Sequence, residues 1–305
     1  MGARLVSDFV LESDAITLPK GAWAKTYRVR LRHRGDAVLA LTQGAFRSYA
    51  FPLMTPAGYC VTAESPADHP HHCGMWIASD HVHVLMPAAN DTVEEYTYNF
   101  YVNETFQGRS PGRIEDVACA GRDLGGGRFE IVQQLEWRGP REWAADTGRL
   151  IARETRVMTV ETGERRHRID VASCLSGADV AVRLGPTRHA YFNVRVADSM
   201  IVANGGAVRD DRGRSGGAGV SGAAARWTDF TGPVGGGAVA GVSVIPQRTE
   251  DRAPYWFVAD WGVITVGPFR EMALDLERSK FESRYIVLVH DGPPDINEIE
   301  ALSTY

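Results

Sequence analysis

Several features common in proteins are missing from this 305-residue sequence. No apolar run approaches the roughly 18–20 residues that a helix needs to span a bilayer, which argues against a helical membrane protein. The opening residues, MGARLVSDFVLESDAITL, lack the basic-then-apolar pattern of a secretory signal. The four cysteines, Cys60, Cys73, Cys119 and Cys174, are widely spaced and form no CxxC pair. They read as reduced thiols rather than as a disulfide framework. No run of like charge stands out, and a net charge of −5 with a pI near 6.0 exerts no pull towards nucleic acid or anionic membranes. Long amphipathic helices, internal repeats and an interdomain linker are absent too. The expectation is a cytoplasmic protein whose partners include neither nucleic acid nor membrane, with its oligomeric state left open.

What is present is β-pattern. Lys25 to His33 alternates, with Tyr27, Val29 and Leu31 on one side and Thr26, Arg28, Arg30 and Arg32 on the other. Arg34-Gly35-Asp36 then reads as a turn into Val38–Leu41, which predicts a hairpin. Phe129–Trp137, Leu150–Val160, Arg166–Leu175, Val180–Leu184, Tyr255–Val266 and Arg284–His290 continue the strand-like pattern. The one helical candidate is Ile296–Leu302. Many strands joined by Gly- and Asp-rich turns predict an all-β fold, a large antiparallel β-sandwich forming one domain over residues 1–305. One stretch breaks the pattern. Asn204 to Gly241 is dense in Gly and Ala, which predicts a mobile surface excursion or, alternatively, a lid. Within it, Trp227–Phe230 reads as a returning strand.

The chemistry is concentrated between Ala67 and Val84, ADHPHHCGMWIASDHVHV. Five of the nine histidines, His69, His71, His72, His81 and His83, fall there with Asp68, Asp80, Cys73 and Trp76. Imidazole is the side chain best suited to proton transfer near neutral pH and to metal ligation. Pro70 fixes its own φ and biases His69 towards an extended conformation, so the first half reads as an irregular loop. Met75 to Val84 reads as a strand, on which His81 and His83 share a face. Two chemistries fit. One is metal-free acid–base catalysis by an imidazole paired with a carboxylate. The other is a divalent transition metal held by His69, His71 and His72 with Asp68 or His81. The spacing matches none of the standard zinc signatures, so the primary expectation is no cofactor.

Two further stretches are candidates. In GPTRHAYFNVRVAD, His189 precedes Tyr191, Phe192 and Asn193, an aromatic-polar mixture that suits the face and hydroxyls of a sugar. In YWFVADWG, Asp260 sits among aromatic and apolar residues. Desolvation there would raise its pKa and suit a general base.

From about Phe51 to Gly292 the chain resembles the PmoA-like family, often labelled "methane oxygenase PmoA". The resemblance is carried by FPLMTPAGYCVTAESPADHPHHCGMW, by RHAYFN and by RYIVLVHDG. More distantly it is similar to the galactose mutarotase (aldose 1-epimerase) superfamily, whose members are β-supersandwiches with an Arg, two His and a carboxylate around a sugar ring. Thr187, His189, Tyr191, Phe192 and Asn193 match that superfamily's TxHxYFN-like motif. His72, before Cys73-Gly74, stands for its other histidine, with Arg47 upstream and Asp260 in place of its Glu. The resemblance implies a carbohydrate-active enzyme that epimerises, eliminates or hydrolyses a sugar or keto-sugar. His72 and His189 would be the acids and Asp260 the base. Arg47, His69, His71, Trp76, His81, Tyr191 and Asn193 would bind the substrate. A non-catalytic carbohydrate-binding protein is the remaining alternative.

Overall fold

The computed structural model describes residues 7–14, 27–142, 145–178, 180–188, 190–247, 254–276 and 280–303. It is an all-β fold built from large antiparallel sheets, as expected. One eight-stranded sheet runs, edge to edge, through Phe9–Asp14, Tyr27–His33, Asp36–Gln43, Ser48–Leu53, Met75–Ser79, Ala190–Arg195, Val263–Gly267 and Tyr255–Ala259. A second runs through Ala207–Asp210, Thr228–Gly235, Ala238–Pro246, Lys280–Asp291, Arg166–Gly177, Leu150–Thr162, Arg128–Arg138 and Arg113–Gly125. A smaller third sheet holds Leu274–Asp275, Ala181–Leu184, Val82–Pro87, Val93–Asn99 and Ser110–Pro111.

The pleat explains the burial. In Arg128–Arg138 the alternate residues Phe129, Ile131, Leu135 and Trp137 are buried while their neighbours are more exposed. Arg166–Gly177 behaves the same way through Ile169, Val171 and Leu175. The inner faces meet in one apolar cluster that draws on all three sheets. Phe9 lies 5.3 Å from Phe129, and Phe192 stacks on Tyr285 at 4.2 Å. The expected hairpin forms at Arg34-Gly35, both at positive φ, and Ile296–Leu302 is a helix capped by Asp295. Among the described residues, no helix is long and apolar enough to cross a membrane.

Two expectations are corrected. Met75–Val84 is not one strand. It breaks at Asp80-His81, so that Met75–Ser79 joins the first sheet and Val82–Pro87 the third. The Gly-rich stretch 204–241 is not a loose excursion either. It supplies strands to the second sheet and a short helix, Gly216–Val220, and it buries Val208, Val220, Trp227 and Phe230. Thr228–Gly235 is the returning strand. Its small residues permit contact: a Cβ on Gly217 would lie 2.8 Å from the Ala259 Cα. Glycine here is a packing residue, because the backbones approach too closely for a side chain.

His167, buried on Arg166–Gly177, carries a prediction. Burial, with His33 and Arg166 nearby, lowers its pKa from 6.5 to about 4 against the opposing pull of Asp291. The unfolded chain therefore binds the extra proton first, and stability falls as pH drops from about 6.5 towards 4. The loss approaches about 3 kcal/mol at the lower end. Urea unfolding at pH 7 and pH 4.5 checks this, because His167→Gln reduces the difference between the two.

Candidate functional site

The candidate site is assembled on one face of the first sheet. Trp76, Asn193 and Thr265 stand abreast on adjacent strands, so their side chains share a face. Arg195 lies two residues beyond Asn193 and returns to that face. Over these residues folds the loop that carries the DHPHH motif. An isolated bridge between Glu64 and Cys73 closes its base. The Ser65 N–H donates to the His72 carbonyl at 2.9 Å, and the His72 N–H to the His69 carbonyl at 2.9 Å. Gly74 ends the loop at φ +56, where a Cβ would fall 2.0 Å from the Ala50 carbonyl oxygen. Only glycine fits there.

Two buried arginines hold the loop. Arg195 donates to both carboxylate oxygens of Asp68, at 3.0 and 2.9 Å, and reaches Asp198 at 3.3 Å. Its guanidinium also lies 5.1 Å from the Trp261 ring. Arg47 donates to the carbonyls of Phe100 and His71 and, at 2.7 Å, to Asn103 Oδ1. Arg47 therefore fastens the loop backbone instead of facing a ligand, which corrects its expected role as a group that orients substrate.

The rings pack closely. His69 stacks on Trp261 at 4.1 Å and on His72 at 4.8 Å, while His71 meets His72 edge-on at 4.5 Å. His69 Nδ1 lies 2.9 Å from Asp68 Oδ2. Burial pushes the Asp68 carboxyl up, but hydrogen bonds from Arg195 and His69 outweigh it and hold the pKa below the usual value. A third of the His69 side chain is exposed, so an imidazole backed by an ionised carboxylate reaches solvent. His72 is different. It is buried, with Nε2 3.2 Å from the Tyr101 hydroxyl. Burial first, then the fields of His71, His69, Arg195 and Arg47, drive its pKa far down, so it is a neutral imidazole rather than the acid expected. Among the described residues, three buried atoms here have no hydrogen-bond partner: His72 Nδ1, Trp76 Nε1 and Arg195 Nε.

The remaining expected residues fall elsewhere. Asp260 is exposed, in the turn between Tyr255–Ala259 and Val263–Gly267, and accepts from the Gly217 N–H at 2.6 Å. It is solvated, so the reason for expecting a desolvated base is gone. Its neighbour Trp261 is the residue that packs on the histidines. Tyr191 is fully buried among Trp137, Phe269 and Phe281 and presents no face to a sugar. Asn193 is buried beneath the site. His189 lies outside the described residues. His81 and His83 do share a side, with rings 6.3 Å apart. They line a separate groove of about 500 Å³ with Glu95, Thr97 and Arg109. His81 Nδ1 lies 3.0 Å from Asp80, and Asp80 also takes the Thr187 hydroxyl.

The stacked arrangement of His69 and His72 suits ring packing better than a shared metal, since near-parallel rings direct their lone pairs along parallel planes. Among the described residues, no group of three or more His, Cys, Asp or Glu is arranged to hold a metal ion. The sequence reading missed Arg195, Tyr101 and Trp261. For Arg195 a signal existed, since its two-residue spacing from Asn193 puts it on the same strand face. Residues 28–304 match a protein family described as a "Family of unknown function (DUF6807)". No curated protein matches the chain.

The loop closure carries a prediction. Gly74→Ala places a methyl group against the Ala50 carbonyl and should cost about 2–4 kcal/mol. Urea unfolding measures that loss, with Gly58→Ala, whose Cβ meets nothing within 4 Å, as the milder control.

Proposed function

The chain belongs to the DUF6807 family, and we propose that it is a carbohydrate-active enzyme that performs acid–base chemistry on a sugar or keto-sugar. The proton-transfer group is His69. The observation that supports this most is the series Arg195–Asp68–His69, in which a buried cation orients a carboxylate and the carboxylate orients an imidazole that reaches solvent. An imidazole so held keeps one nitrogen on the carboxylate and leaves Nε2 to exchange a proton with a ligand. Trp261, half-buried and stacked on His69, offers the apolar face that sugar C–H groups pack against. Epimerisation, elimination and hydrolysis all require such a group, and the reaction type is read from the products.

A second reading has one observation in its favour. His72, which the sequence resemblance would make one of the acids, is neutral and deeply buried, as in a site that binds a sugar without changing it.

Proton NMR of the anomeric region, with a panel of aldoses and 3-keto-sugars, separates the two. The proposed enzyme converts at least one member. His69→Ala lowers turnover by about 10²–10⁴ and Asp68→Asn lowers it in the same direction, both with the fold retained by circular dichroism. Binding without conversion, unaffected by His69→Ala, favours the second reading, and no binding across the panel counts against both.

A further inference from the structure

A second pair of imidazoles stands outside the DHPHH loop. His81 and His83 flank Val82, which is buried, so their rings fall together on the other side of the extended chain. Their centroids lie 6.3 Å apart. Both rings line the groove of about 500 Å³ on the third sheet. Both also reach solvent, with 29% of the His81 side chain and 21% of the His83 side chain exposed.

A carboxylate stands behind each ring. His83 Nδ1 lies 2.8 Å from Glu95 Oε1 and 3.1 Å from the Thr97 hydroxyl. The carboxylate only accepts and the hydroxyl does either, so the proton of the neutral ring sits on Nδ1. Nε2, on the far side of the ring, keeps its lone pair. His81 Nδ1 lies 3.0 Å from Asp80 Oδ1, and the charge of Asp80 favours the same tautomer. That contact is close without being aligned as a hydrogen bond, so the His81 ring has room to turn onto its carboxylate. Asp80 itself is buried and takes the Thr187 hydroxyl. The charge around the pair suits a cation. Arg183, opposite His83 on the neighbouring strand, is engaged by Asp275, and Arg109 donates to Gln107. Against these two guanidiniums stand three carboxylates, those of Asp80, Glu95 and Asp275.

We propose that His81 and His83 bind one divalent transition-metal ion of the zinc class through their Nε2 atoms, with Asp80 and Glu95 as the carboxylates that orient the two rings. A carboxylate on the other nitrogen is the support that metal-ligating histidines commonly have, because it fixes the tautomer and makes the ligand more basic. A tetrahedral ion with metal–nitrogen bonds of about 2.0–2.1 Å brings two such ring centroids to roughly 5 Å. Closing the pair from 6.3 Å takes only side-chain torsion at two partly exposed residues. Two protein ligands leave the remaining positions to water or a small ligand, so the site holds an exchangeable ion and is not a closed structural centre. It is a pair, and so differs from the groups of three or more that are absent among the described residues. It is also independent of the carbohydrate reading.

Titration of the full, untagged chain with zinc, followed by long-range ¹H–¹⁵N spectra of the histidines, tests this. The four thiols and the DHPHH imidazoles also have affinity for zinc, so the resonances decide and total uptake does not. The expected result is that the Nε2 resonances of His81 and His83 shift together while both rings keep Nδ1–H. In calorimetry, His81→Ala and His83→Ala each weaken the corresponding uptake by at least about tenfold, and Glu95→Gln, which keeps both ligands, weakens it by about 10–100-fold. Circular dichroism checks the fold of each variant, and the wild-type spectra carry the test if a variant does not fold. His81 and His83 resonances unmoved with zinc in excess overturn the proposal. So does uptake that survives the loss of either imidazole, or a Glu95→Gln chain that binds as tightly as the wild type.

Discussion

A guanidinium buried in the middle of a sheet is the constraint from which the site follows. Arg195 is almost wholly inside the protein, and a buried charge without a counterion costs several kcal/mol even after relaxation. Its main partner, Asp68, comes from a loop that lies far away in sequence. The demand of the cation therefore determines where the DHPHH loop sits. Trp261 covers the same guanidinium from the turn on the other side. Loop and turn are drawn to one charge, and the imidazoles of the loop consequently stack on the indole of the turn. Because Asp68 keeps part of its surface in water, the pair escapes the full penalty of a buried ion pair.

Arg47 grips the other end of the loop by different means. Its guanidinium is buried, and its hydrogen bonds go to carbonyl-type oxygens of Phe100, His71 and Asn103. The planar fork of arginine suits this spread of acceptors, which a single ammonium could not reach. Two cations so near His72 have an electrostatic effect as well as a structural one. They add to desolvation in keeping that ring uncharged. The loop thus holds two kinds of histidine. One is at the surface, backed by a carboxylate, and the other is at the floor, surrounded by positive charge.

The fold class was legible because period-two burial is written into strands such as Arg128–Arg138 and Arg166–Gly177, where one face is apolar and the other is not. The Gly-rich stretch misled because composition reports the lack of side-chain bulk and not the presence of a close neighbour. Gly217 is small because Ala259 lies against it. Of the site, the DHPHH loop was legible from local density of imidazole. The pairing of Asp68 with Arg195 was not, since it joins residues 127 positions apart. Asp260 and Trp261 show the limit most plainly. Adjacent residues in a tight turn point in different directions, and the aromatic, not the carboxylate, is the one that turns inward to the histidines. Tyr191 was misplaced for a related reason, because an aromatic on a strand looks the same in sequence whether it faces a ligand or the core.

The break at Asp80-His81 has an arithmetical consequence. Met75–Ser79 and Val82–Pro87 belong to separate layers, yet each must keep its own odd-even alternation: Trp76 towards the site, Val82 and Val84 inward, His83 outward. Only two residues connect them. Dropping one reverses the parity of whichever strand yields: Met75–Ser79 would turn Trp76 away from the site, and Val82–Pro87 would send imidazole into the apolar interior and valine to the surface. Homologues that preserve both the indole and the outer imidazole are therefore bound to the same parity in the number of residues between them, however freely the surrounding letters change.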